Sequence, residues 1–260
     1  QLRGVVWVWI GDGQPVPLEE DVPEEFLDPE ATIFTDIRVW PVNWRPLIEN
    51  ASDGHAPYVH RNSVVAVLLA ELGPLGMKFT PAATRDGKGF ALLTESYPRP
   101  VQEYPGLGRF PKSYWRKYWL WIFKGTRKRP NLIGGRPYFQ EMLLPGIVRV
   151  SNTNHLFIRW AVPIDEHSVR NFFWHIVRGS WVWKQWFALR YYIFRRWAQN
   201  VNFSDQDRAV VEAQDYTAKE KLSRPDTVIT LWRKLVLQGY HPPPKACPLP
   251  TPWPKGSADP

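Results

Sequence analysis

The chain has 260 residues, 44% of them hydrophobic and 22% charged, which excludes an intrinsically disordered protein and allows one large domain or one domain with part of another. Its formal net charge of +8 permits anionic partners, whether nucleic acid, an acidic membrane surface or an acidic protein, without choosing among them. The single cysteine, Cys247, excludes an internal disulfide and fits a reducing, cytoplasmic compartment, while 15 Trp, 10 Tyr and 13 Phe favour a pocket for a large apolar molecule over one for a sugar or a phosphate.

Residues 5–10 form an apolar run closed by Gly11-Asp12-Gly13, which predicts a strand and a turn. A chain that opens without Met, in mid-strand, reads as a piece of something longer. The acidic, proline-rich stretch 15–30 predicts a surface connection between two domains. Residues 32–40 alternate as a strand, and Asn43 or its neighbour caps a short helix running through Asn50. Residues 61–76 continue as helical or buried structure. Strands are expected over 89–97, 137–144, 147–151, 155–163 and 168–177, with a long irregular stretch at 98–130. Helices are expected over 181–200, 205–216 and 226–239, and the prolines from Pro242 onward predict an extended tail. Strands in a run followed by helices in a run describe an α+β domain with a mainly antiparallel sheet.

Chemistry concentrates in residues 43–62, where His55 and His60 stand five positions apart and Asp53 precedes the first by two. Imidazoles are good ligands for Fe(II) and Zn(II), but on a regular helix this spacing separates them by about 140°, so convergence needs an irregular turn of the kind Gly54 and Pro57 supply. Spacing alone leaves a metal site and a chance pair both open.

The surrounding residues add a resemblance. Asn43-Trp44, Glu49-Asn50, Asp53 and His55-Ala56-Pro57-Tyr58-Val59-His60 resemble the iron-binding helix of the Rieske non-haem iron oxygenases, the aromatic ring-hydroxylating dioxygenase family. By that resemblance His55 and His60 are iron ligands, Asp53 is a bridging carboxylate toward the cluster of a neighbouring subunit, and Asn50 is a second candidate catalytic residue. One departure is that Gly54 alone separates Asp53 from His55, where family members usually have two residues. The family completes its ligand set from a late helix, and Ser204-Asp205-Gln206-Asp207-Arg208-Ala209-Val210-Val211-Glu212-Ala213-Gln214 fits that pattern with Asp207 in the ligand place. Asp205 is the competitor; the bland alternative for both is an acidic first turn complementing a helix dipole. Residues 5–13 resemble the last strand of the family's Rieske domain, and residues 223–237 resemble its late helix.

The resemblance implies a helix-grip type catalytic domain, its mainly antiparallel sheet flanked by helices and preceded by the last strand of a truncated Rieske domain. The implied division is 1–20 for the Rieske remnant, 21–241 for the mononuclear iron domain and 242–260 for the tail. A Rieske [2Fe–2S] cluster needs two Cys and two His, so this chain cannot bind one, and the cluster is expected on a missing N-terminal region. The implied activity is hydroxylation or dihydroxylation of an aromatic, polycyclic or sterol-like substrate with O₂. Electrons would come from NAD(P)H through a reductase or ferredoxin, and the implied assembly is a homotrimer.

Residues 172–198 support a competing reading. There Trp, Tyr and Phe interleave with Arg178, Lys184, Arg190, Arg195 and Arg196, a pattern that suits a helix lying on a membrane surface in a non-catalytic lipid-binding module. Membrane association could also accompany the oxygenase. No nucleic-acid-binding motif accompanies the positive charge, so no nucleic-acid partner is expected. His155, His167, His175 and His241 lie outside the ligand pattern, and Glu49 is either a support for a ligand histidine or a helix-surface carboxylate.

Overall fold

Strands form where β-branched and aromatic residues cluster, and in the computed structural model all of them pair antiparallel. The structure describes residues 1–8, 14–51, 59–60, 63–67, 79–84, 87, 89–94, 132–133, 136–151, 155–215, 218–222 and 226–237. Within these lie β1 (Thr32–Trp40), β2 (Phe79–Ala83), β3 (Gly89–Thr94), β4 (Leu132–Ile133), β5 (Arg136–Leu143), β6 (Ile147–Ser151), β7 (Leu156–Pro163) and β8 (Val169–Val177). The order across the sheet is β1-β8-β7-β6-β5-β3-β2, with β4 attached to β5. Gly89 opens β3 at a point where a β-carbon would collide with the Met142 carbonyl of β5.

Both faces of the sheet are covered, which is why β7 buries six consecutive residues. On one face Phe157, Ala161, Val169 and Phe173 pack with Leu47 and Ile48 of α2 (Trp44–Asn50), Val211 of α5 (Ser204–Glu212) and Trp232 of α6 (Thr227–Leu237). Asn43 caps α2 by accepting from the Arg45 amide at 2.9 Å. On the other face Ile158, Trp160, Trp174 and Ile176 meet Val22 and Phe26 of the N-terminal segment. That segment carries α1 (Leu18–Asp21) and a 3-10 turn (Glu24–Phe26), so residues 15–30 cap the sheet and are not merely a surface connection. Arg149 of β6 locks it down by pairing with Glu25 of the turn and with Glu141 of β5 at 2.8 Å. The strand expected over 5–10 is reduced, among the described residues, to an isolated bridge between Leu2 and Val5.

The helices expected over 181–200 and 205–216 are one continuous rod. It starts as α4 (Trp181–Arg190), capped by Ser180, winds as a π-helix over Tyr191–Phe203 and resumes as α5. Tyr191, Arg195, Gln199 and Ser204 are buried at successive turns, a period of about 4.3 residues against 3.6 in an α-helix. Asn200, Asn202 and Ser204, good helix-capping residues, do not end the rod because their side chains are engaged elsewhere. Asn200 accepts from His175 Nε2 at 2.8 Å and donates to Asp36, Asn202 accepts from the Val64 amide of α3 (Val64–Val67), and Ser204 Oγ donates to the Gln199 carbonyl at 2.8 Å.

Candidate metal centre

His60 and Asp207 come together between α2, α5 and the sheet. His60 Nε2 lies 2.9 Å from Asp207 Oδ1, and both side chains are buried. Asn50, the last residue of α2, donates to the same Oδ1 at 3.0 Å, and Arg159 of β7 donates to Oδ2 at 3.2 Å. The His60 ring stacks on Phe203 with centroids 3.7 Å apart, and its Nδ1 faces Gln206 Oε1 at 3.2 Å. Ser63 secures the histidine backbone by donating from Oγ to the His60 carbonyl at 2.8 Å.

Burial alone would raise the Asp207 carboxyl, but the charge and hydrogen bond of His60, the charge of Arg159 and the hydrogen bond from Asn50 outweigh it. The group is held below the ordinary carboxylate range, so it is an anion in the interior. Asp205 instead pairs with Arg38 of β1 at 2.7 Å on the flank of the rod. It stands within a continuous helix, not at the free N-terminus that the sequence suggested.

His55 and Asp53 lie outside the described residues. Among the described residues no group of three His, Cys, Asp or Glu side chains converges. Glu49 is bound by Arg45 at 2.9 Å and by Arg233 of α6 at 2.7 Å. His155 is buried at the start of β7, where burial, with Arg195, His175 and Arg190, holds it well below the usual imidazole range. Arg159 and Gln206 were missed in the sequence. A cation between Phe157 and Ala161 on the helix-facing side of β7 was the available signal for the first.

The basic half of the aromatic and basic pattern is split between buried residues and exposed ones that pair with acids. Phe172–Val177 belongs to β8, Arg190 and Arg195 are buried, and Arg178, Lys184 and Arg196 face Asp28, Glu30 and Asp36. No described helix is long and apolar enough to cross a membrane.

The fold is that of the catalytic domain of terminal oxygenases. A terminal oxygenase of carbazole 1,9a-dioxygenase from Nocardioides aromaticivorans IC177 superimposes with a TM-score of 0.65 at 26% identity, covering 92% of this chain and 66% of that one. The oxygenase in a reduced oxygenase–ferredoxin complex of carbazole 1,9a-dioxygenase gives 0.63 at 24%, covering 90% and 61%, and speaks for the fold alone. Residues 9–241 match the model of the homotrimeric ring hydroxylases, and the chain belongs to that family of Rieske-type oxygenases. In sequence it is 28% identical over 184 residues to the terminal oxygenase component of carbazole 1,9a-dioxygenase from Metapseudomonas resinovorans, and 28% identical over 177 residues to that from a Sphingomonas species. The aligned part takes in 65% of this chain, and the chain spans 43% of the length of each of these relatives.

Proposed function

We propose that the chain is the catalytic portion of a Rieske-type ring-hydroxylating oxygenase whose mononuclear Fe(II) is held by His55, His60 and Asp207. The observation that carries this reading is the buried pairing of His60 Nε2 with Asp207 Oδ1 at 2.9 Å. The donor set fits the ion. His60 Nε2 and Asp207 Oδ1 meet at 2.9 Å with Gln206 at the other ring nitrogen, so a cation that displaces the Nε2 proton would find a lone pair and a carboxylate oxygen side by side. Two imidazoles and one carboxylate suit Fe(II), which when bound supplies the activation of O₂.

The chain's own residues do the rest. Asn50 and Arg159 orient Asp207, Gln206 and Phe203 orient His60, and the sheet and α6 exclude water behind them. In this reading Asp53 is the bridge for electrons, and a [2Fe–2S] cluster carried outside these residues receives them from NAD(P)H through a reductase or a ferredoxin. A ferredoxin complex is described for the related oxygenase. The substrate is a hydrophobic aromatic or polycyclic molecule, the assembly a homotrimer and the compartment the cytoplasm. Residues 1–20 belong with the cluster domain and 21–241 with the iron domain. Anaerobic reconstitution with Fe(II) tests the centre: one ion per chain is expected, and a chain that retains none overturns the reading.

A further inference from the structure

We infer that Arg159 is a positioning residue for the metal centre, holding Asp207 Oδ2 so that only Oδ1 is presented beside His60; this rests on the iron reading above. Arg159 is buried on β7, and its guanidinium reaches two other elements. Nη1 donates to Asp207 Oδ2 of α5 at 3.2 Å, and Nη2 donates to the Leu47 carbonyl of α2 at 3.2 Å. One rigid fork therefore ties the strand, the helix that leads to the histidines and the helix that carries the carboxylate.

The division of labour at the carboxylate is complete. Oδ1 meets His60 and Asn50, whereas Oδ2 meets the guanidinium. Burying a cation between Phe157 and Ala161 is costly unless a specific anion answers it, and Asp207 is that anion. Two effects on a bound ion follow. Charge drawn from the carboxylate weakens its hold on a divalent cation, and engagement of Oδ2 keeps the group from chelating through both oxygens. A one-oxygen donor leaves more of the ion open to reactants.

Cobalt(II) titration of the full chain, followed by visible absorption, tests this because absorption per ion weakens as the coordination number rises. Arg159→Gln, which removes a buried positive charge beside the ion, should bind Co(II) about tenfold more tightly, with weaker absorption per ion, and weaker binding would overturn the role. Arg159→Lys, which keeps the cation, should stay close to the unaltered chain in both readouts. If the unaltered chain binds Co(II) and Arg159→Gln matches it in affinity and spectrum, Arg159 has no such role while the metal centre stands. If both variants lose thermal stability alike with unchanged spectra, the residue is structural only and the inference fails. If the unaltered chain binds no Co(II), the metal centre fails and the inference with it. Should Arg159→Gln not fold, Arg159→Met purified in Co(II) replaces it, with the same tighter, weaker-absorbing site expected and an unaltered spectrum overturning the role.

Discussion

Arg38 of β1 holds Asp205 at 2.7 Å on the flank of the rod, two residues before Asp207 turns inward to His60. In α-helical winding that step is about 200°, so the ion pair on one side and the buried carboxylate on the other fix which acid can serve a metal.

Asp207→Ala should therefore abolish or sharply weaken Fe(II) binding, whereas Asp205→Ala should keep the ion and cost about 1 kcal/mol of stability through the lost, half-exposed ion pair. Iron content and thermal unfolding of the two variants check this. Iron lost from Asp205→Ala and kept by Asp207→Ala would move the assignment.

Reconstituted protein should hold one Fe(II) per chain, and His55→Ala or His60→Ala should each remove it. Metal analysis after anaerobic desalting decides the matter. Retention by both variants would show that the histidines do not bind iron.

With one cysteine, the chain by itself should show neither sulfur-to-iron charge-transfer bands nor turnover with NAD(P)H and a reductase. A visible spectrum and an NAD(P)H oxidation assay suffice. Either signal from the purified chain would mean that the electron path is misread.

Arg149→Leu should destabilise the protein by about 3–5 kcal/mol, because it takes the guanidinium away from the buried carboxylates of Glu25 and Glu141. Hydrogen exchange should rise first over residues 18–31, which the arginine pins to the sheet. Unchanged protection there would show that apolar contacts such as Phe26 with Trp174 hold the segment unaided.

The sheet was largely legible because β1 and β6 to β8 are dense in β-branched and aromatic residues, and α2 carries its own cap at Asn43. β2 was not: Phe79-Thr80-Pro81-Ala82-Ala83 has a proline and small residues, tolerated because it is the last strand of the sheet. The unbroken rod was hidden for a different reason. Asn200 and Asn202 are residues that normally stop a helix, and partners distant in sequence employ their side chains otherwise, while Ser204 turns back to the Gln199 carbonyl within the rod. At the centre, the motif made His60 and Asp207 visible as candidates. The alternation of β7 puts Arg159 on the side of Phe157 and Ala161, but nothing local names its partner, and only the tertiary fold brings it to the carboxylate.

The π-wound stretch makes residue count a functional quantity. In an uninterrupted α-helix Asp207, sixteen positions beyond Tyr191, would stand about 160° away from it, yet both are buried toward the sheet. The wider winding thus works as a phase adjuster between the aromatic anchor at one end and the carboxylate at the other. Tightening the stretch to α-helical winding at its present length would turn Asp207 about 160° away from the side on which Tyr191 is buried. The spacing from Tyr191 to Asp207 should be the part of the rod in which insertions and deletions do not accumulate among relatives of this chain.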